Sequence, residues 1–561
     1  MMGKSIFKML AVTMAMATAC SLGACGGNGS SESGNNQIVT SENTLNVRIR
    51  KAGYGTDYIY ALAEQFEKTF ASEGYKVNIL APREDLVSTN VYRDIYSKSG
   101  IDVYFTSDID AEAAVTGDYG QVFSDLTESV WNQKPIKFDG TEESLTVEQK
   151  MEGVTFPDGV YNSKIYGLPY VYGFGGLVVN KKALDSYNLE LPRTTNELFA
   201  CAETIMEHAL DTGVFPFTYS LSGNNYPSSV TNTWIAQYDG KEKFDEYYSF
   251  VNSDGSNMEN DCYKVFAYDG VVEALESLYH TFDYNMAAYG SGSQDFTTAQ
   301  GQIMKGTAVF YSCGNWFINE EYERYNRFVN DVTFINAPVV SSLGTKLFGA
   351  DSVYKLDDAK CESVLTTIIK YVDQQKTVAE IESLTESECA VSLETKDVET
   401  VCQRRGYING RVNAGMVIAE NSPKKDLAAT FLRFCCSTEA GALFAEKSRG
   451  ISPYAMDANA NDNIPFVNSV NDIASNPYKT QLVAEASAYR KAMGITGLFP
   501  YMGEIFATKI YEAQLTKYDD KTLKAVKDNS IYRTAAEKMS QDMYKDAKTK
   551  VETGVWKVIQ K

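Results

Sequence analysis

YNSKIYGLPYVYGFGGLVVNKKAL, Tyr161 to Leu184, is the stretch on which the reading of this chain turns. It begins as a short strand with a tight turn around Gly167, Leu168 and Pro169. A run rich in glycine and aromatic residues, Tyr170 to Gly176, follows, and then a β-branched strand, Leu177 to Val179, closed by Asn180. Gly173, Gly175 and Gly176 mark backbone that needs unusual dihedrals or a close neighbour. Tyr170, Tyr172 and Phe174 alternate with smaller residues, so an extended segment presents their rings on one face. The stretch therefore reads as a crossing between two lobes, with these rings lining the floor between them; aromatic filler in a buried strand is the plainer alternative.

Upstream, Leu45, Val47 and Ile49 alternate with polar residues as a strand. Lys51 to Asp57 is a loop, Tyr58 to Phe70 has helical apolar spacing, Tyr75 to Leu80 is a second strand, and Ile101 to Phe105 is a third. Alternation of this kind predicts an open α/β sheet, in which ligands bind beyond the carboxyl ends of the strands. Tyr54 and Asp57 follow the first strand, and Ser107 and Asp108 follow the third. Each can equally serve as a turn or capping residue.

Downstream, Thr194 or Thr195 caps a helix with Glu197 in its first turn. Gly213 to Ser220 reads as a buried strand, and Trp234 lies in the run Tyr226 to Gly240. In FTTAQGQIMKGTAVFYSCGNW, Phe296 to Trp316, a helix ends at Gly306, a strand covers Ala308 to Tyr311, and Cys313 to Trp316 turn at its end. Phe334 to Val340 is a further strand, Gly349 to Gly410 turns charged and helical, and Ala414 to Ala419 resumes as a strand. From Asp457 onward the pattern is mostly helical.

The 561 residues exceed one hydrophobic core. A formal net charge of -21 argues against nucleic acid or anionic lipid as the main partner. The 37 tyrosines suit interfaces and polar ligands. With only His208 and His280, imidazole-based metal sites and His-centred catalysis start from a poor position, and the sequence calls for no cofactor or metal. No GxSxG, HExxH or Walker loop occurs. Eight cysteines beyond Cys20 and Cys25 show no CxxC pair and read as buried free thiols.

Residues 1–24 read as an export signal, with Lys4 and Lys8 before an apolar run too short for a comfortable membrane span. Leu22-Gly23-Ala24-Cys25 resembles a bacterial lipobox, which makes Cys25 the lipidated N-terminus. Residues 25–44 then form a Gly/Ser/Asn-rich tether spanning roughly 25 Å.

Three segments, taken in order, resemble an extracellular solute-binding protein of an ABC importer, in the family of maltose-binding-protein-like sugar binders. The first is Ile165-Tyr166-Gly167-Leu168-Pro169 with Gly176 to Asn180 and Leu191-Pro192, Thr195 and Glu197-Leu198. The second is Phe296, Gly306, Ala308, Gly314 and Trp316. The third is Pro423 to Ala428 with Phe431-Leu432. The resemblance implies an α/β, two-lobe periplasmic-binding-protein type II fold with a hinge between the lobes. It implies an N-lobe of 45–169 plus 347–450, with a helical insertion at about 355–410, and a C-lobe of 170–346 plus 451–561. It further implies a monomer on the outer face of the cell membrane that captures a carbohydrate and delivers it to ABC permease subunits. A sugar needs flat rings for its C–H faces and carboxylates or amides for its hydroxyls. Trp316, where the family often places a stacking ring, leads the candidates, followed by Trp234, Tyr172 and Phe174, with Asp108, Tyr54, Asn315 and Asp57 as further partners. The alternatives are a peptide or polyamine ligand on the same fold, or an exported carbohydrate-active enzyme with paired carboxylates.

Overall fold

The computed structural model describes residues 36–154, 156–220, 226–410, 414–456, 463–482, 504–515 and 530–556. The export signal, Cys25 and the first part of the tether lie outside the described residues.

The alternating strand at the start of the chain forms β1 (Thr44–Ile49), with Leu45, Val47 and Ile49 fully buried. It pairs in parallel with β2 (Lys76–Ile79) and with β3 (Val103–Ser107). β12 (Ala414–Ile418) runs antiparallel beside β3, and β6 (Leu168–Pro169) closes the far edge, in the order β2-β1-β3-β12-β6. The helix Asp57–Thr69 covers one face with Ile59, Leu62 and Phe66, and the helices Lys425–Cys435 and Thr438–Ser448 add Phe431, Leu432 and Phe444 to that core.

Strand β7 (Phe174–Asn180), buried at every position, is the centre of the second sheet. It pairs antiparallel with β9 (Ala308–Gly314), with β10 (Val332–Ile335) and, at its first residues, with β11 (Tyr407–Gly410). β8 (Phe215–Phe217) and β13 (Thr480–Leu482) complete the sheet at its two edges. The glycines of the opening stretch serve close approach, not a left-handed backbone. A Cβ on Gly175 would sit 2.5 Å from Ser229 Cβ, and one on Gly176 2.5 Å from the Ile335 carbonyl oxygen. A small ribbon of β4 (Val160–Tyr161) and β5 (Lys164–Ile165) precedes the crossing.

The two sheets are joined where chain passes lie side by side. Pro169 pairs with Gly415 in the first sheet and Phe174 with Gly410 in the second, so two antiparallel segments cross together. A third pass is tied to them by the Tyr172 amide, which donates to the Ile451 carbonyl at 2.7 Å.

The sequence expectation places residues 347–450 with the first lobe; the structure divides that stretch. The helices Asp358–Asp373, Val378–Cys389 and Thr395–Arg405 bury Val364, Leu365, Ile368, Ile381 and Val398 in the core that holds Leu177, Trp234 and Leu275 of the second lobe. β11 then joins the second sheet, and only β12 and the helices after it belong to the first. The helical insertion is thus part of the second lobe's core. Its amphipathic pattern announced a buried face without saying which lobe would cover it.

Lys424, in one of the segments that carry the family resemblance, is a structural residue. Its Nζ lies 2.8 Å from Asp102 Oδ2, both side chains being almost wholly buried. Asp102 also accepts from the Asn46 amide at 2.8 Å and from Ser422 Oγ at 2.7 Å. The pair fastens the helix Lys425–Cys435 to the start of β3. Lys424→Met leaves the Asp102 charge uncompensated and should cost about 3–5 kcal/mol, read as a loss of unfolding free energy in urea.

Candidate functional site

Beside an apolar cluster that holds residues of both lobes, polar and aromatic side chains link them directly. The loop after β1 presents Gly53 and Tyr54, and the end of β9 with the following helix, Phe317–Tyr325, presents Asn315, Trp316 and Asn319. Tyr54 Oη donates to Asn315 Oδ1 at 2.7 Å, and Asn319 Nδ2 donates to the Gly53 carbonyl at 2.8 Å. The Arg449 guanidinium, at the end of the first-lobe helix Thr438–Ser448, lies 3.6 Å from the centre of the Tyr322 ring. Such a cation over an aromatic face adds attraction across the contact.

Asn315 is buried and makes three side-chain hydrogen bonds. Besides Tyr54 it accepts from the Phe174 amide at 3.3 Å and donates to the Tyr172 carbonyl at 3.1 Å. It holds the crossing strand and the other lobe at once, with both acceptor positions of Oδ1 and one N–H of its amide engaged.

Trp316 is half-buried between the lobes. Its ring meets Tyr54 edge-on at 6.4 Å and Tyr226 at 6.3 Å. Gly53 and Gly314 make room for it: a Cβ on Gly53 would come within 2.9 Å of the indole, and one on Gly314 would run into the six-membered ring. Burial, then the neighbouring Tyr170 and Glu320, push the Tyr54 hydroxyl well above the usual phenol range, so it stays a neutral donor.

Glu320 lies one helical turn beyond Trp316 and accepts from Gln300 Nε2 at 2.6 Å. Desolvation raises its carboxyl to about 7, Glu321 adding to the rise and the Gln300 bond and Arg324 opposing it. Tyr226, Asn319 and Glu320 were missing from the sequence candidates. For Asn319 and Glu320 a signal existed, because positions three and four after Trp316 share its helix face.

Asp108 ends β3, exposed and at a left-handed φ of 56°. It lies 4.0 Å from Arg50 Nη1 and accepts from Ser107 Oγ at 3.2 Å; Arg50 also donates to Ser107. These three form a charged rim at the carboxyl ends of β1 and β3. Asp57 is exposed in the first turn of its helix, where a carboxylate favours the helix dipole.

Three aromatic candidates belong elsewhere. Trp234 is fully buried in the second lobe, its indole N–H donating to the Pro338 carbonyl at 3.0 Å, which makes it a core residue and not a ligand-stacking ring. Tyr172 and Phe174 are 1% exposed, and Phe174 packs on Phe334 at 5.8 Å. Tyr170 points into the first-lobe core against Tyr58 and Phe105 instead of sharing one face with them. Tyr170, Tyr172 and Phe174 brace the crossing; they do not floor an open cleft.

A cavity of about 550 Å³ opens on the flank of the second lobe, lined by Phe199, Glu273, Glu276, His280 and Arg533. Arg533 pairs there with Glu273 and Glu276. Among the described residues no group of three His, Cys, Asp or Glu is placed to hold a metal ion, and no helix is long and apolar enough to cross a membrane. The eight cysteines from Cys201 to Cys436 are buried free thiols.

The family model for the bacterial extracellular solute-binding protein matches residues 61–345, from the first helix to beyond the second lobe's main strands. The chain belongs to that family. No curated protein matches the sequence. Among solved structures, this solute-binding protein is similar to a "probable secreted solute-binding lipoprotein" from Streptomyces coelicolor, with 14% identity, 90% of this chain and 100% of the other covered, and a TM-score of 0.54. It is also similar to the Thermus thermophilus maltotriose binding protein bound with maltotriose (14% identity, 90% and 100% covered, TM-score 0.51). A third is the solute-binding protein RafE in complex with raffinose (10% identity, 89% and 99% covered, TM-score 0.51). At such identities the likeness is one of fold.

Replacing Asn315 by Ala leaves the Phe174 amide and the Tyr172 carbonyl without their partner. It should cost about 1–3 kcal/mol of unfolding free energy. Small-angle scattering of the same variant should show a larger radius of gyration, since the Tyr54 link between the lobes is lost as well.

Proposed function

We propose that this solute-binding protein captures a carbohydrate, an oligosaccharide, between its lobes and hands it to the permease of an ABC importer. The observation that carries the reading is Trp316. It is a half-buried indole at the lobe contact, flanked by Tyr54 and Tyr226, with amide and carboxyl groups on the same helix face. A sugar ring combines an apolar C–H face with hydroxyls at its edge, and this pairing of a flat ring with polar neighbours complements both. The solved proteins of like fold that hold maltotriose and raffinose support the ligand class. Arg50, Ser107 and Asp108 form a polar rim on the first lobe that suits further hydroxyls.

The protein binds without chemical turnover on this reading, and a lipid on Cys25 holds it at the outer face of the membrane. The division into a first lobe of 45–169 with 414–450 and a second lobe holding most of the remainder leaves the crossing segments as the hinge. Closure about it would bring the Trp316 face and the Asp108 rim onto opposite sides of one ligand.

A thermal-shift screen of the mature protein against maltotriose, raffinose and chitin and xylan oligosaccharides tests the ligand class. Ligand at a hundredfold over its dissociation constant adds about 2.7 kcal/mol of stability. A shift with polyamines or peptides and none with any sugar would replace the ligand class and keep the family. The recovered sugar should be intact by mass spectrometry; cleaved sugar would favour an exported enzyme.

Trp316→Ala should weaken binding of the responding sugar at least tenfold by calorimetry in protein that remains folded. A large stability loss with unchanged affinity would make Trp316 a packing residue.

A further inference from the structure

We propose that Glu320 is a ligand-binding carboxyl of the same cleft, accepting hydrogen bonds from hydroxyls of a sugar stacked on Trp316. The inference rests on the carbohydrate reading above and adds a residue to it. Four features of the geometry carry it.

First, Trp316 and Glu320 are four residues apart at the start of one helix, so both side chains share its face. Asn319, on the other side of Trp316 from Glu320 in angle, already touches Gly53 of the first lobe. Second, the carboxyl is oriented in advance. Gln300 Nε2 holds Glu320 Oε2 at 2.6 Å, and Gln300 is itself fully buried, so this support cannot swing away into solvent. A carboxylate fixed by one donor keeps its other oxygen for a second partner. Third, among the described residues no Lys or Arg forms an ion pair with it, whereas its neighbour Glu321 takes Arg324 at 3.5 Å. Fourth, Glu320 lies close enough to the lobe contact to act electrostatically on Tyr54 of the first lobe. Tyr54 faces it from the first lobe, Tyr226 from the loop before the helix Ser228–Asp239, Tyr311 and Cys313 from β9, and Glu321 and Arg324 from its own helix. Of these, Tyr54 already donates its hydroxyl hydrogen bond to Asn315.

A carboxyl placed in this way has an unfilled task that sugar hydroxyls would complete. Hydrogen bonds to an ionised acceptor are shorter and about twice as strong as neutral ones. The ligand-free protein holds the group half-protonated near pH 7, for reasons of desolvation. Hydroxyls donating to the carboxylate favour its charged form and so expel the proton. Binding is then coupled to proton release: it is weakened below the free midpoint, where the proton must first be removed, and levels off above it. Between pH 6 and pH 8 this predicts a roughly tenfold tightening of the dissociation constant.

The experiment has two arms. In the first, calorimetry measures binding of whichever of maltotriose, raffinose, chitin or xylan oligosaccharide stabilises the protein, at pH 6, 7 and 8, for the wild type, Glu320→Gln and Glu320→Asp. The proposal expects the wild type to tighten about tenfold across this range. Glu320→Gln should bind at least tenfold more weakly at pH 8, with no pH dependence, and Glu320→Asp should keep the pH dependence. Wild-type affinity and pH profile in Glu320→Gln would overturn it. If no sugar stabilises the wild type, the carbohydrate reading falls, and Glu320 as a sugar contact with it.

The second arm needs no ligand. The difference in tryptophan fluorescence between the wild type and Trp316→Phe should titrate with a midpoint near 7, and this transition should be absent when both proteins also carry Glu320→Gln. No such transition in folded protein would overturn the placement of an ionisable carboxyl beside the indole, whatever the sugar screen gives.

Discussion

One buried amide, Asn315, carries the joint on which both lobes depend. Its three hydrogen bonds reach the Tyr172 carbonyl, the Phe174 amide and the Tyr54 hydroxyl, so the crossing strand, the end of β9 and the opposite lobe meet at a single side chain. Leaving a buried polar group unpaired costs more than making the bond gains, which fixes the geometry more firmly than the strength of any one bond would suggest. Around this joint the chain needs three side-by-side passes between two sheets, and the Tyr172 amide to Ile451 carbonyl bond registers the third pass against the first.

The consequence for function is a separation of tasks within one turn. Asn315 is spent on structure, and the next residue, Trp316, is left half-buried at the lobe contact with Asn319 and Glu320 on its face. The tight packing over Gly53 and Gly314 sets where the indole lies. Two buried clusters lie one in each lobe, and a third joins apolar side chains of both, Tyr104 and Val417 of the first with Val178 and Tyr311 of the second. The buried pair of Asp102 and Lys424 does the corresponding job inside the first lobe, locking a late helix to an early strand.

Much of the architecture was legible in order along the chain. The period-two run Leu45-Val47-Ile49, the helix after it, and the β-branched run beyond Gly176 all form the elements their patterns predict, with boundaries moved by a few residues. The helical stretch 358–405 formed as read but docked on the second lobe. Periodicity shows that a face will be buried; it carries no information about the partner that buries it. The same limit explains the aromatic candidates. Trp234 and Trp316 look alike in sequence, one in a polar-flanked run and one after a strand, and only the first has its indole N–H met by a carbonyl in the core.

By itself, then, the sequence determined an exported-type, acidic, two-sheet α/β chain, the place of its crossing, and the family whose motifs it carries. Tertiary structure alone decided which lobe owns the 358–405 helices, which rings are core and which face the lobe contact, and that Glu320 is desolvated beside Trp316. The reason is physical. Local propensity and periodicity act over a few residues, whereas burial, hydrogen-bond saturation and the environment of a carboxyl are set by groups such as Tyr54 and Asn315 that lie hundreds of residues apart in the chain.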